Sequence, residues 1–253
     1  MQMKKVIKFA EACSVIFIAT LFMLLAQVAP ANAVGKIPLN TTDITIESGQ
    51  TYTISNKEEL LNFAEIARTG ASFQGSTVEL LSDITWWQPI ATHSGQTAGT
   101  FFGIFEGNNH TISGLVFDFD SGGEHALFGR CDGAVIRNVT VENFYFRGAN
   151  CAGICAVAWN GTVIENCHAI DGILANRGYS GGILGMTVNA WGDSNAIIQI
   201  GNCTSRCEIL EGCYHISGGE NIGLIVGYAR EGVIVENCNN TGEAFGADYK
   251  TEL

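Results

Sequence analysis

The sequence predicts an all-β chain that folds as a solenoid of stacked coils, and three observations support this prediction. The chain has 253 residues, of which 31 are glycine, three are proline and 15% are charged. With many Val, Ile and Asn residues, this composition is typical of short strands joined by tight turns. The other two observations are a six-residue pattern that recurs along the chain and a glycine-rich segment that precedes most of its copies. Repeats at intervals of about 20–50 residues indicate stacked structural units.

The six-residue pattern begins at Ile112, Ile136, Ile164, Ile200 and Val235. Its first and fourth residues are apolar or Cys, its second is polar or small, and its third is Gly or Asn. Since Gly and Asn tolerate a left-handed backbone, the pattern predicts a strand, a one-residue bend and a second strand. In stacked coils the Asn side chains would then exchange hydrogen bonds along a ladder. The predicted ladder has the inward residues Ile112, Ile136, Ile164, Ile200, Val235, Cys167, Cys203 and Cys238, and the bend residues Gly114, Asn138, Asn166, Asn202 and Asn237.

The glycine-rich segment reads HALFGR, CAGICAVA, SGGILGMT and IGLIVGYA in its successive copies. Alignment of the copies brings together Gly129, Ala156, Gly185 and Gly227, beside the inward residues Leu127, Ile154, Ile183 and Ile225. Small residues around one large aliphatic side chain favour a strand that packs tightly against a narrow interior. We therefore expect each of these strands to be covered by the next coil.

These segments resemble the GLUG-motif repeats of bacterial exported and surface proteins. The resemblance rests on GGILG, GLIVG and IENC, and on STVELLSDITWWQPIA followed by FFGIFEGNNHTISGL, and it covers roughly residues 51–245. It implies a right-handed parallel β-helix, often attached to larger surface proteins such as adhesins and some proteases, whose repeats have no established catalytic role. The segment from Cys151 to Ala156 departs from the family pattern by placing Ala and Cys where Gly is expected, which predicts a less regular coil.

Residues 1–33 are predicted to be a secretory signal peptide. Lys4, Lys5 and Lys8 precede an apolar run, and a small-x-small cleavage site ends at Ala33. We therefore expect a protein that is secreted or held at the bacterial cell surface, without a membrane segment after cleavage. Residues 34–50 are predicted to be a flexible lead-in, and residues 51–253 to be a single β-helix domain with coils at 76–253.

The first part of that domain, residues 51–70, is predicted to form a helical N-terminal cap and the lead into the coils. Ser55 and Glu58 are spaced as a capping box, and Gly70 suits the end of the helix. One face carries apolar residues at helical spacing, namely Leu60, Phe63, Ala64 and Ala67. A solenoid needs its terminal apolar cross-section covered. Since no similar helix follows Asn240, open strand edges at the C-terminal end would permit self-association.

The charge of the chain limits its partners. Its formal net charge is −12, and removal of residues 1–33 takes away three lysines and one glutamate, which gives −14. Phosphate backbones and anionic membranes attract basic surfaces, so we expect neither nucleic acid nor membrane as a partner. The remaining candidates are a cell-surface glycan or a protein.

Eight cysteines follow the predicted cleavage site. The densest group of soft ligands is Cys203, Cys207, Cys213 and His215, but its spacing does not match that of zinc sites, so we expect no metal or other cofactor. The stacked thiols of Cys167, Cys203 and Cys238 are expected to stay free, because parallel in-register neighbours would strain a disulfide torsion. A Cys207–Cys213 disulfide closing a surface loop is the alternative that the spacing leaves open.

No set of carboxylates with a catalytic base is evident in the sequence. Glu165 and Glu236 occupy the same outward position of their repeats, but Arg137 and Gly201 occupy it in two others. We therefore expect a non-catalytic module for surface display, adhesion or ligand binding. The outward-facing residue of the pair Trp86 and Trp87 could stack on a sugar, but packing under the capping helix is the favoured interpretation. The alternatives are a polysaccharide lyase or glycoside hydrolase, and an accessory domain of a larger surface protein such as a protease.

Overall fold

The computed structural model describes residues 35–71, 73–85, 99–118, 123–188, 196–211, 221–230 and 232–245. The chain divides into two compact units, residues 1–35 and 36–253. The predicted signal peptide and cleavage site lie outside the described residues. Within the part that is described, no helix is long and apolar enough to cross a membrane.

The described residues form one α-helix, α1 (Lys57–Arg68), and 21 strands. The strands are β1 (Ile37–Pro38), β2 (Thr51–Ile54), β3 (Thr77–Leu80), β4 (Ile84–Thr85), β5 (Ile104–Ser113), β6 (Val116–Asp118), β7 (Glu124–His125), β8 (Phe128–Asp132), β9 (Val135–Glu142), β10 (Tyr145–Ala152), β11 (Cys155–Trp159), β12 (Val163–Glu165), β13 (His168–Gly181), β14 (Leu184–Thr187), β15 (Ile198–Gly201), β16 (Thr204–Glu211), β17 (Asn221–Gly223), β18 (Val226–Tyr228), β19 (Val233–Glu236), β20 (Asn239–Asn240) and β21 (Glu243–Phe245). The all-β prediction is confirmed.

The strands pair in parallel, each with the corresponding strand of a neighbouring repeat. One stack contains β1, β2, β3, β5, β9, β12, β15 and β19 in that order. Because long strands bend, the far ends of β9, β13 and β16 belong to further stacks. A separate four-stranded sheet is formed by β8, β11, β14 and β18. Parallel neighbours that recur in one chain order are compatible with a parallel β-helix.

The register of the first stack follows the repeat. Ile136 pairs with Ile164, Ile164 with Ile200, and Ile200 with Val235. The first three of these side chains are almost completely buried, whereas Val235 is 46% exposed. In the four-stranded sheet, Cys155 pairs with Phe128 and Leu184, which brings Gly129, Ala156 and Gly185 into one row as the alignment predicts.

The assignment of Ile112 and Gly114 to the start of this ladder is wrong. The partner of Ile136 is Phe105, whereas Ile112 pairs with Val141 in the adjacent stack. The register of β5 shifts between Glu106 and His110, because the bend there takes up extra residues. A template of six residues at fixed positions therefore misses Phe105, which is the actual partner of Ile136.

Two columns of left-handed residues bend the coils. The first contains Asn138, Asn166, Asn202 and Asn237, whose φ angles lie between +49° and +58°, and it is preceded by Asn108 and Asn109. The second contains Gly114, Asn143 and Asp171, also with positive φ. In the first column the Nδ2 of Asn166 donates to the Oδ1 of Asn138 at 2.8 Å, and Asn138 donates to the Oε1 of Glu106 at 2.8 Å. Side-chain bonds thus join neighbouring coils where the backbone turns.

Helix α1 lies between β2 and β3 in the chain and begins one residue later than its predicted capping box. Asn56 is the N-cap, whose side chain accepts a hydrogen bond from the backbone N–H of Glu59 at 3.0 Å. The Glu59 carboxylate accepts in return from the backbone N–H of Ser55 at 2.6 Å. The box of Ser55 and Glu58 is therefore replaced by Asn56 and Glu59.

The buried face of α1 packs on a group of aromatic rings. The Phe63 ring lies 5.2–6.2 Å from the rings of Phe73, Phe101, Phe105 and Phe128, mostly in edge-to-face arrangements. Aromatic pairs at such distances contribute about 0.5–1.5 kcal/mol each beyond their burial. These contacts fix the helix against the aromatic core that these four residues form.

The prediction of a flexible lead-in at residues 34–50 is wrong for the described part of that segment. Strand β1 pairs with β2, and Leu39 is completely buried. The side-chain amide of Asn62 in α1 also donates to the carbonyl of Leu39 at 2.9 Å. The parallel stack therefore begins well before residue 76. The segment is polar overall, so its composition did not indicate the four apolar residues that pack in or against the core, namely Ile37, Leu39, Ile44 and Ile46.

Candidate functional site

The outer face of the four-stranded sheet carries large side chains in a fixed row. The register places Arg130 of β8, Val157 of β11, Met186 of β14 and Tyr228 of β18 next to one another. In parallel sheets the neighbours in such a row are about 4.8 Å apart. Val157 is buried, while Arg130, Met186 and Tyr228 remain partly exposed.

Two more aromatic residues extend this row. The centre of the Tyr179 ring lies 4.9 Å from that of the Tyr228 ring, and the two rings are tilted by 33°. The guanidinium carbon of Arg130 lies 6.0 Å from the centre of the Trp159 ring, which is within the range of a cation–π contact. We call the surface formed by Trp159, Tyr179, Met186 and Tyr228 the aromatic face. Beneath it lie the small buried residues Ala126, Ala152 and Ala156.

The aromatic face combines exposed ring area with hydrogen-bonding groups. Tyr and Trp present an apolar body and a polar tip, and they lose little conformational entropy when a ligand binds. Because these residues stand on strands or their ends, the spacing between them is fixed before binding, which lowers the cost of association. The surface is suited to stacking against flat, hydroxyl-bearing ligands.

The outward carboxylates identified in the sequence lie in another row. Glu165 and Glu236 flank Gly201, because β12, β15 and β19 are successive neighbours. A Cβ atom built at Gly201 meets nothing within 4 Å, so this position forms a notch between the two carboxylates. Arg137 and Glu106 continue the row, and the Arg137 Nε donates to the Glu106 carboxylate at 2.7 Å.

Hydrogen bonds define the charge state of Glu106. Burial opposes its ionisation, but hydrogen bonds from Asn138, the Asn108 backbone and Arg137 more than offset this, so the pKa of Glu106 lies below its usual value. A general acid needs the opposite shift, toward a raised pKa. Glu106 therefore serves to join coils and to hold Arg137.

The cysteines within the described residues carry free thiols. Burial raises the pKa of Cys207 to about 11 and that of Cys151 to about 12, and it raises the pKa of Cys167 well above its ordinary value. The Cys207 sulfur lies 3.4 Å from the carbonyl oxygen of Ala169, and Cys203 lies 3.1 Å from that of Gly201. Thiols held protonated by burial, as in Cys151, Cys167 and Cys207, are poor metal ligands, whereas the side-chain hydrogen bond with Cys167 lowers the pKa of Cys203.

The weak metal candidates are therefore not brought together as far as the structure describes them. Cys213 and His215 lie outside the described residues, and no group of three or more His, Cys, Asp or Glu among the described residues could hold a metal ion. Cys207 is a free buried thiol, and because Cys213 lies outside the described residues, the Cys207–Cys213 disulfide stays a prediction. Trp86 and Trp87 also lie outside the described residues.

Sequence reasoning missed the aromatic face. The alignment places Gly129, Ala156, Gly185 and Gly227 in one row, and the residues that follow them are Arg130, Val157, Met186 and Tyr228. This neighbouring row is the signal that could have found the face. The position of Tyr179 depends instead on how β13 and β17 pair, which no repeat template shows.

Fold and surface together define a parallel β-sheet repeat protein with an aromatic outer face. No family model matches the chain, and no solved structure matches it. Among curated proteins, the chain is similar to Halomucin of Haloquadratum walsbyi (strain DSM 16790 / HBSQ001), with 34% identity over 107 residues. The match covers 42% of this chain and 1% of Halomucin. The resemblance to GLUG-motif repeats thus stays a prediction.

Proposed function

We propose that this chain is an exported, non-catalytic β-helix module that binds neutral glycans through its aromatic face. The supporting observation is the row on the four-stranded sheet that carries the partly exposed Arg130, Met186 and Tyr228, with the Tyr179 ring in contact with the Tyr228 ring. A strand position that faces solvent needs no large aromatic residue to fold, so such residues on a rigid surface favour recognition.

The proposal includes the finer architecture. The recurrence of the stacks supports a β-helix, and parallel crossover connections are right-handed in about 98% of cases. Helix α1 would act as the cap, since Phe63 and its aromatic neighbours cover the apolar interior where Phe101 forms a bridge to Cys131 of β8. The predicted signal peptide supports export to the cell surface or beyond.

The charge of the chain favours neutral over acidic glycans. A net charge of −12 creates a negative potential that repels anionic polymers. On the aromatic face, Arg130 is the adjacent cation, and it is already paired with Glu124 at 2.8 Å. Neutral sugars suffer no such repulsion and offer apolar ring faces together with hydroxyl groups.

A glycan array with the purified secreted protein tests this proposal. We expect neutral oligosaccharides to bind, and Tyr228→Ala or Trp159→Ala to weaken binding about ten-fold or more, as for central aromatic contacts elsewhere. Ile197→Ala is the matched control, because Ile197 is an exposed apolar residue, 43% accessible, outside this face. Binding that the two aromatic changes leave intact would contradict the proposed face, and turnover of a polysaccharide would contradict the non-catalytic part.

A second candidate is that the module serves as an accessory domain of a larger surface protein. The similarity to a segment that makes up 1% of Halomucin favours it, because a segment similar to part of this chain then lies within a much longer protein. The gene sequence that continues from this reading frame tests it.

Self-association is a further part of the proposal, since Ile234 and Val235 of β19 are 40% and 46% exposed. Sedimentation of the wild type against Ile234→Lys measures it.

A further inference from the structure

A cavity of about 400 Å³ lies between α1 and the first coils, and Arg130 is the one residue that it shares with the row that ends at Tyr228. Its walls are mainly apolar and include Leu60, Phe63, Phe101, Leu115, Phe117 and Phe128. Concave sites of about 300–1,000 Å³ with mostly apolar walls and a few polar groups are typical of small-molecule binding. The cavity is therefore large enough for a small organic ligand.

The walls of the cavity favour an aromatic ligand. Phe101 and Phe128 lie 5.1 Å apart, and Phe63 is 5.9 Å from Phe101 at an interplanar angle of 85°. These rings already meet one another in tilted and edge-to-face arrangements, so their free edges and faces offer the same geometry to one more ring. Because the three side chains are at most 6% exposed, their positions are held by the core.

Two arginines line the cavity, and their bonding differs. Arg68 is bound at both Nε and Nη2 by the Glu65 carboxylate, so its guanidinium is engaged in a fork. Arg130 donates to Glu124 through Nη2 at 2.8 Å, and its Nε–H is buried without a hydrogen-bond partner among the described residues. A guanidinium has five N–H donors. Arg130 keeps other N–H donors besides the one bonded to Glu124, and it lines the cavity together with Glu124, so an acceptor placed there can bond to the guanidinium.

We propose that this cavity binds a small aromatic carboxylic acid, with its ring among the phenylalanines and its carboxylate on Arg130. Carboxylates match the planar fork of a guanidinium better than other acceptors do, and the charge-assisted bond is strong in a partly buried site. This inference does not depend on glycan binding, because the aromatic ligand occupies the cavity beside α1.

The first experiment compares three probes by calorimetric titration of the secreted protein. Cinnamate carries the ring and the carboxylate, cinnamyl alcohol carries the ring without the charge, and octanoate carries the charge without the ring. We expect cinnamate to bind at least ten-fold more tightly than either of the other two, since a hydrogen bond to a charged group and an aromatic contact are each lost in turn. Equal binding of octanoate and cinnamate, or no binding of cinnamate, would overturn the proposal.

Variants then locate the bound ligand. Arg130→Met should weaken cinnamate binding at least ten-fold and leave cinnamyl alcohol within two-fold, whereas Arg137→Met, which changes an arginine paired with Glu106 in another stack, should change neither. Ala64→Trp, which fills the cavity from α1, should abolish both, and Glu58→Trp on the same helix is its control. Tyr228→Ala should leave cinnamate binding unchanged, which separates this site from the aromatic face.

A variant that is expected to increase affinity tests whether Arg130 binds the ligand or has only a structural role. Glu124→Gln keeps the size of the side chain but removes the charge that competes for the guanidinium. We expect cinnamate to bind at least three-fold more tightly to this variant, with an unchanged circular dichroism spectrum. Unchanged or weaker cinnamate binding would contradict the assignment of the carboxylate to Arg130.

Discussion

Replacement of Asn166 should destabilise its coil far more than replacement of the adjacent Cys167. Asn166 has a φ of +49°, and its side chain bonds to Asn138 at 2.8 Å. In Asn166→Val, a β-branched residue is forced into the left-handed region at a cost of about 1–2 kcal/mol. The lost side-chain hydrogen bond adds about 1 kcal/mol, which gives about 2–3 kcal/mol in total.

The neighbouring change should have a smaller effect. Cys167 is completely buried, and its thiol lies 3.3 Å from the carbonyl oxygen of Glu165. Cys167→Val keeps an apolar side chain of similar size, so we expect a loss of under about 1.5 kcal/mol. Asn166→Gly is the control for the backbone term, because Gly adopts positive φ without strain and loses the side-chain bond alone.

Urea unfolding of the three variants, followed by circular dichroism, measures these differences. We expect Asn166→Val to be the most destabilising change and Asn166→Gly to follow it. The loss of stability in Cys167→Val should exceed that of the glycine variant by no more than a few tenths of a kcal/mol. The reasoning would be refuted if Cys167→Val were the most damaging change. That result would indicate that the thiol forms a disulfide or binds a metal rather than filling space.

Two further predictions concern a buried histidine and two glycines. Burial lowers the pKa of His125, despite the opposing charge of Glu124, so the folded state binds fewer protons than the unfolded state and stability should fall as the pH drops below about 6.5. Unfolding measured between pH 8 and pH 5 should show a weaker dependence in His125→Phe, and an unchanged slope would count against this cause. Gly172→Ala should cost about 1–3 kcal/mol, because its Cβ would lie 2.0 Å from the Phe144 ring, whereas Gly201→Ala, with nothing within 4 Å, should be neutral in thermal melts.

The part of the fold that the sequence predicts is the part that repeats without interruption. Ile136, Ile164, Ile200 and Val235 pair as aligned, because each coil poses the same local problem: an apolar residue inward and a left-handed residue at the bend. Phe105 escaped the alignment because the register shift in β5 separates it from its bend residues. A template of fixed length cannot represent a bulge, although the bulge preserves the stacking.

The candidate sites depend on distances that no repeat pattern contains. The cavity beside α1 brings together Phe63, Phe101 and Phe128, which come from a helix, a bridge residue and a strand. Arg130 approaches Trp159 because β8 and β11 are neighbours, although 29 residues separate them in the chain. Such contacts follow from the lengths of the loops that connect the strands, and loop lengths differ from coil to coil.

The positions within a coil differ in what folding requires of them, and this difference indicates where function should be sought. Inward positions and bend positions are constrained by burial and by backbone conformation, so Cys167 and Asn166 are accounted for by structure alone. Outward positions carry no such requirement, and Gly201 shows that a coil folds with no side chain there at all. A large aromatic residue such as Tyr228 at an outward position is therefore not explained by coil formation. The ring area that Tyr228 exposes at the surface supports a role in binding. The buried inward residues of the repeats give no such support.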